Sequence, residues 1–520
     1  MKGVFPKRVG VILLESPDEI GGEKGETSHF LLDNFFRQII MYFRIVRLTK
    51  YLLTERVSGF IGVVMRVFKE IKRNFKDYSQ KELIRTILKL VPHASHRNLV
   101  IMLRLGQKLT VDLDNKRKVG KLIEIFQSRH PSIELGKKLL SRPNKNCVDK
   151  LMENFFINNI LVGSGKREEI ELREGVRPPF FLVLSPTMRC NLNCAGCSTR
   201  EYSTENDLPF ETIDRIISEA KNLGIYLITT QGGEMFLRKD MYDIYEKHSD
   251  VYFQVYSNGI LIDRNTARRL ADLGNVEVNL SVEGFREETD SRRGKGVWEK
   301  IMEAMDNLRE EGCIFGFAAT MTRQNADALT SDEFIDLMAD KGCYLGWYFQ
   351  YIPIGKEPNL GMMPTPQQRN RLREQVTRWR DSKEIFIGDF WNDGPHVEGC
   401  MAARSFLHIN NKGDVEPCAF VHFSVDNINS KTLWEAINSP FFKAIRRMQQ
   451  AQDAPQAYSD NLLTPCMIID QPWVLRELVN TYGARSTDRG DALLRGEIAE
   501  GLNSYSREIH SIYDPLWKEK

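Results

Sequence analysis

The strongest constraint on the fold lies between residues 180 and 352, where short β-rich runs alternate with segments of helical period. The runs are 180–185 (FFLVLS), 225–230, 251–256 (VYFQVY), 276–282 (VEVNLSV), 314–321 (IFGFAATM) and 345–352 (LGWYFQYI), with amphipathic stretches such as 211–222, 263–273 and 296–311 between them. Branched and aromatic residues suit a buried pleated surface, and apolar runs between helices mark strands covered on both faces. Successive βα units give a parallel sheet with right-handed crossovers. Six units fall short of the eight that close a barrel. The predicted fold is therefore α/β, a partial (β/α)6 barrel whose functional loops follow the strand C-termini.

The flanks differ in charge. Residues 1–170 carry 32 Lys+Arg against 18 Asp+Glu, whereas 171–520 carry 40 against 52. Within 28–76, Phe35, Ile39, Tyr42 and Val46, then Phe60, Val64 and Phe68, recur every three to four residues among Arg and Lys, which predicts basic amphipathic helices. Residues 80–160 also read as helical, with turn signals at Pro92, Pro131 and Pro143. This divides the chain into four regions: a helical basic N-terminal module (1–170), the barrel (178–385), a small irregular cysteine-bearing extension (386–480) and a polar helical tail (481–520). A basic front suits an anionic surface or partner, or the acidic remainder of the chain itself. No window holds 18 uncharged apolar residues and the start fails as a secretory signal. The expectation is a cytoplasmic protein whose front helices let it sit peripherally on the inner face of the membrane. Nucleic acid is not an expected partner, because the basic module is helical and offers no aromatic-studded sheet.

The nine cysteines are an odd number with one tight cluster, a poor disulfide framework and a good metal framework. Directly after the first run comes Cys190-Asn-Leu-Asn-Cys194-Ala-Gly-Cys197. Three thiolates within eight residues can hold one corner of an iron–sulfur cube and leave its fourth iron open. The bland alternative is a zinc knuckle short of a ligand, or unrelated thiols. Cys147, Cys313 and Cys343 read as buried small hydrophobes. Gln350 and Tyr351 end the sixth run, where they face the reaction chamber, and Trp391 to His396 either line that chamber or make a turn.

With these motifs, residues 180–355 resemble the radical S-adenosylmethionine (SAM) superfamily, whose Cys-x3-Cys-x2-Cys signature sits on the loop after the first strand of a partial barrel. The resemblance implies a catalytic [4Fe-4S] cluster on Cys190, Cys194 and Cys197, with SAM at its open iron. It implies reductive cleavage of SAM to a 5′-deoxyadenosyl radical that abstracts hydrogen from an unactivated carbon, and an electron donor such as flavodoxin or ferredoxin. An aromatic residue often precedes the third cysteine in that family, and here it is Gly196. Gly232-Gly233-Glu234 is similar to the family's Gly-Gly-Glu motif, with Met235 in place of the usual proline. Ser257-Asn258 and Ser281-Val-Glu283 are similar to its ribose- and methionine-contacting positions, and Arg293 to an arginine that pairs with a carboxylate. Each of these is equally an ordinary turn or cap residue.

Cys400, Gly413 and Cys418, with Cys466 beyond, resemble the opening of the SPASM/twitch extension, which implies an auxiliary [4Fe-4S] cluster. The residues themselves predict a hairpin there, since FLHINNKGDVEPC sets two β-rich runs around Asn-Asn-Lys-Gly-Asp. The fourth ligand is left to His396, His408, His422, a distant cysteine or substrate, and a zinc site or buried structural cysteines remain the alternative. The basic amphipathic front favours a membrane lipid acyl chain as substrate. The alternative is a ribosomal peptide maturase of the SPASM class, and the non-enzymatic rival is an iron–sulfur electron carrier or scaffold.

Overall fold

The computed structural model describes residues 130–197, 207–355, 357–449 and 459–519, together with Arg104 and Glu124. The chain separates into two compact units, Met1–Phe75 with Val100–Glu124, and Lys76–Leu99 with Ile125–Lys520. The strands among the described residues and both sets of clustered cysteines belong to the second unit. The basic helices expected over 28–76 and the turn at Pro92 lie outside the described residues.

Helices Pro131–Ser141, Lys145–Lys150 and a wide-wound Leu151–Val162 that runs into Gly163–Glu174 precede the sheet. Pro131, read as a turn signal, is the first residue of its helix behind a His130 cap, a position where its missing N–H costs nothing. All six predicted strands are present, each within two residues of its expected ends: β1 Phe181–Leu184, β2 Leu227–Thr230, β3 Tyr252–Ser257, β4 Val276–Ser281, β5 Phe315–Met321 and β6 Leu345–Gln350. They pair in parallel in chain order. Helices Phe210–Asn222, Arg264–Leu273, Val297–Glu310, Asp332–Lys341 and Pro366–Ser382 alternate with the strands or come after them. Three of these starts are set by side-chain caps: Asp263 accepts from Thr266 N, Ser331 from Phe334 N, and Thr365 and Gln368 form a reciprocal capping box. Each cap stabilises its helix by about 1 kcal/mol.

The sheet extends beyond the six units. β7, Phe386–Asp389, adds in parallel to β6, and β8, Phe406–Ile409, adds in parallel to the other side of β1. β9, Asp414–Glu416, pairs back on β8 through the predicted hairpin. β10, Phe423–Ser424, pairs separately with β12, Arg485–Ser486, and short β11, Asp426–Asn427, lies antiparallel on β9. The cysteine-bearing extension is thus built onto the barrel sheet through Phe406, whose ring stacks on Phe181 at 5.0 Å. The sheet stays open, with β7 and β11 at its two edges.

A buried polar network locks this junction. His408 Nε2 lies 2.7 Å from Ser185 Oγ just past β1, and its Nδ1 lies 2.6 Å from Glu416 on β9. The tail helix Glu497–Lys518 is amphipathic where the sequence reading expected a polar tail, and buries Leu502, Tyr505, Ile509 and Tyr513. Beneath it the fully buried Arg369 bonds Asp470 at 2.5 Å and also reaches Asn392 Oδ1 and the carbonyls of Trp391 and Leu463. Among the described residues no helix is long and apolar enough to cross a membrane.

Candidate active site

The loop after β1 and the loop after β2 are zipped together by their backbones: Gln231 N bonds Leu184 O at 2.9 Å, Gly233 N bonds Thr187 O at 2.9 Å and Glu234 N bonds Arg189 O at 2.6 Å. This closeness is why glycine stands at 233, since a Cβ there would lie 2.0 Å from Arg189 O. The next loop is tied in through Glu234. Its buried carboxylate accepts from Asn258 N at 2.8 Å, Ser257 Oγ at 2.9 Å and Phe236 N at 3.1 Å. Burial raises its pKa against the pull of these bonds.

These loops gather one cavity at the C-terminal end of the strands. Cys190, Cys194, Cys197, Gly232, Gly233, Glu234, Ser257, Asn258, Ser281 and Arg293 all line it. Glu283 stands behind the wall. It is fully buried, paired with Arg292 at 2.5 Å and with Arg293, and its other oxygen takes Thr320 N at 3.3 Å. Burial opposes the charge on Arg293, but Glu283 and then Cys194 hold its pKa above the ordinary value. Arg293 Nη1 in turn points at Cys194 Sγ, 4.0 Å away, while Arg292 Nε bonds Ala195 O at 3.2 Å. Two adjacent arginines therefore brace the cysteine loop from one carboxylate. Asp290 caps the next helix start by accepting from Gly296 N and Trp298 N.

Gly196, where an aromatic residue is usual, has a positive φ of 64°, and a Cβ there would meet Tyr351 Cε2 at 2.6 Å. Tyr351 thus fills the space that a side chain at 196 would need. The sequence reading missed Arg292, Thr320, Phe349 and Phe420 as lining residues. Strand alternation would have found Thr320, which shares the inward face of β5 with the lining residue Ala318, and Phe349 of β6, paired with Thr320.

A second, smaller cavity is lined by Cys400, Cys418 and Cys466 within a shell that includes Phe390, Trp391, Phe406, Phe420, Met467 and Ile468. None of His396, His408 and His422 lines it. His396 is exposed, His408 is held by Ser185 and Glu416, and the ring nitrogens of His422 face the carbonyls of Asp488 and Ala419. Cys147, Cys313 and Cys343 are buried in the apolar core.

Both sets share a local device. The backbone N–H two residues on faces the thiol of Cys190 (Leu192, 3.5 Å) and of Cys466 (Ile468, 3.5 Å), and Ala402 and Phe420 do the same for Cys400 and Cys418. Asn258 Nδ2 adds a donor 3.7 Å from Cys190 Sγ. N–H groups aimed at sulfur stabilise thiolates that carry a cluster's negative charge. No three His, Cys, Asp or Glu side chains among the described residues converge tightly enough to hold a single ion. Three thiols on the wall of each cavity, with N–H groups aimed at their sulfurs, are donors of the kind an iron–sulfur cluster takes.

Comparison with known proteins agrees with this chemistry. Residues 184–335 match the radical SAM superfamily and residues 400–461 match the SPASM iron–sulfur cluster-binding domain. The mycofactocin maturase MftC of Mycolicibacterium smegmatis is 28% identical over 304 residues, covering 54% of this chain and 76% of that protein. The Fe-coproporphyrin III synthase of Methanosarcina barkeri is 33% identical over 229 residues, covering 42% of this chain and 57% of that protein. The PqqA peptide cyclase of Bradyrhizobium diazoefficiens is 27% identical over 261 residues, covering 46% and 66%. The cofactors that go with the two domains are a [4Fe-4S] cluster with SAM and auxiliary iron–sulfur, and the two thiol-lined cavities with their sulfur-directed N–H groups fit them. The chain belongs to the radical SAM superfamily and is an enzyme of it that carries a SPASM domain.

Proposed function

We propose that this enzyme modifies a ribosomally made peptide by taking hydrogen from an unactivated carbon. The observation that carries the reading is that, of the three relatives above, one is named a peptide cyclase and another a maturase. The acyl-chain substrate expected from the basic front helices rests on residues outside those described, and none of the three relatives above is named for a lipid.

In this reading Cys190, Cys194 and Cys197 hold the catalytic cluster, and Cys400, Cys418 and Cys466 hold the auxiliary one. When bound, the cluster and SAM supply a 5′-deoxyadenosyl radical. The chain's own contribution is position. Gly232, Gly233, Ser257, Asn258 and Ser281 present short side chains and backbone to SAM, while Glu234 fixes the two loops on which they sit. Glu283 acts through Arg293 and Arg292, which keep the cysteine loop against the cavity. Phe349, Tyr351 and Phe420 give the chamber an aromatic side that excludes water from the reacting carbon.

The test is anaerobic turnover of the reconstituted enzyme with SAM, reductant and each short peptide encoded beside its gene. A peptide whose mass changes in step with 5′-deoxyadenosine release is the expected outcome. Unchanged peptides alongside a modified lipid or porphyrin would overturn the reading.

A further inference from the structure

The tail helix Glu497–Lys518 carries a glycine in its interior, Gly501, at a position where any residue but proline would favour the helix more. A Cβ there would lie 2.3 Å from Leu360 Cδ1 and 2.7 Å from Leu360 Cδ2. Glycine therefore stands at 501 because the Leu360 side chain is seated against the helix backbone at that point.

Leu360 belongs to a strap, residues 359–363, that lies between β6 and the helix Pro366–Ser382 and makes a single tight turn over Leu360–Met362. The strap is held from two further sides. Asn359 N donates to Tyr351 Oη at 3.1 Å. Arg323, just past β5, donates from its backbone N to Met362 O at 3.0 Å and from Nε to Met363 O at 3.2 Å. On its fourth side the strap reaches the cysteine loop, since a Cβ at Gly196 would lie 2.9 Å from Met362 Cε as well as 2.6 Å from Tyr351 Cε2. Met362 and Tyr351 together thus cover the residue that precedes Cys197, and a change in the height of the strap is passed to both.

The tail helix is itself anchored. Tyr513 Oη bonds Asn392 Oδ1 at 2.9 Å, the guanidinium of Arg369 lies over the Tyr513 ring at 5.2 Å, and His510 Nε2 lies 3.1 Å from Asp470 O. Arg369 is on the helix that follows the strap, and Asp470 accepts from Cys466 N at 3.0 Å. In an interior packed this closely, a contact fixed at both ends transmits displacement rather than absorbing it.

We propose that Gly501 and Leu360 are positioning residues for SAM: their contact sets the strap against Gly196 and Tyr351, and so fixes the cysteine loop and the aromatic side of the chamber where SAM needs them. Neither residue lines the chamber, so both act through Met362, Tyr351 and the cysteine loop. The proposal rests on Cys190, Cys194 and Cys197 holding the cluster that takes SAM.

The test moves the leucine from one side of the contact to the other. Leu360→Ala withdraws the foot of the strap, Gly501→Leu fills its seat, and the double variant restores one leucine to the contact. Reconstituted holoenzyme and the three variants are titrated anaerobically with SAM by calorimetry, and the EPR spectrum of the reduced cluster is recorded with and without SAM. Each single variant should bind SAM at least tenfold more weakly, with a smaller SAM-induced change in the spectrum and wild-type iron content. The double variant should bind within about threefold of wild type, a non-additivity expected of residues in contact. Ser504→Leu, at an exposed position of the same helix, should bind as wild type does. Wild-type SAM affinity in both single variants, even with lowered thermal stability, would overturn the proposal and leave the contact as packing alone. A double variant no better than the weaker single would overturn it too. The cluster assignment fails separately, because unchanged iron on joint replacement of Cys190, Cys194 and Cys197 by alanine refutes it whatever residues 360 and 501 do.

Discussion

Asp470→Asn isolates the charge of the pair beneath the tail helix while keeping its shape. Arg369 and Asp470 are both fully buried. Burial acts against the guanidinium, and Asp470 outweighs it, so the arginine stays charged. Removing the partner's charge leaves a buried cation uncompensated, a loss of about 3–5 kcal/mol. Unfolding entropy of about 2.1 cal/mol/K per residue gives about 0.8 kcal/mol/K over roughly 400 residues, so about 4 kcal/mol lowers Tm by about 5 °C. The comparison is Arg371→Gln, whose partner Asp327 is 85% exposed. Such a surface pair contributes about 0–1 kcal/mol, a shift of about 1 °C or less. Because Asp470 also accepts from Cys466 N at 3.0 Å, the variant should reconstitute with less iron. Thermal scans of wild type and both variants, at matched protein concentration, decide the matter. A shift for Asp470→Asn no larger than that for Arg371→Gln would show that the buried pair is not what holds this junction.

Asp389 carries a pH dependence: burial, then the neighbouring Asp393, raises its pKa to about 6. A raised carboxyl binds its proton more tightly folded than unfolded, where about 3.9 applies, so stability falls as pH climbs from about 4 through about 6. Asp389→Asn should be the more stable form at pH 8, with the gap over wild type wider by about 1.5 kcal/mol than at pH 5, and a pH-independent gap in urea titrations would refute this. Gly233→Ala drives a Cβ into Arg189 O, so the cysteine loop must part from the loop after β2. SAM affinity should fall at least tenfold in calorimetry, and wild-type affinity would disprove the close packing of the two loops as its cause. Joint replacement of Cys190, Cys194 and Cys197 by alanine should halve an iron content of about eight per chain and abolish 5′-deoxyadenosine formation. The same change at Cys400, Cys418 and Cys466 should halve iron but leave some uncoupled cleavage, and zinc there with unchanged iron would reject the second cluster.

The six strands were legible because each is a local run of branched and aromatic residues, and the cysteine loop because its spacing is local too. β7 was missed because Phe386-Ile-Gly-Asp389 is too short to show a period, and only pairing with Leu345–Tyr348 makes it a strand. The tail read as polar because its buried stripe, Leu502, Tyr505, Ile509 and Tyr513, is diluted by the charges between. Arg369 looks like any helical arginine, and its partner lies 101 residues away. Glu283 was legible as a position but not as a role. Its place behind Arg292 and Arg293, rather than in the cavity wall, depends on how the helix after β4 folds back. Local pattern therefore identified the residues, while long-range pairing decided which of them face the chamber.

That pairing also sets the two cysteine-lined cavities side by side. β1 lies between β2 and β8, so the strand that launches the Cys190 loop is the neighbour of the strand that carries the floor of the second cavity. Phe420, two residues past Cys418, lines both cavities. Its ring lies 5.0 Å from Trp391, 6.0 Å from Phe390 and 6.3 Å from Phe349, and Phe390 reaches Phe406 of β8 at 6.1 Å. Aromatic contacts of this kind exclude water and hold their rings in fixed geometry. Rings supplied by β6, β8 and the segments after β7 and β9 therefore pack where the two cavities meet. A substrate radical in the chamber would be shielded from solvent by the same rings that separate it from the second cysteine cavity, so protection and proximity come from one packing arrangement.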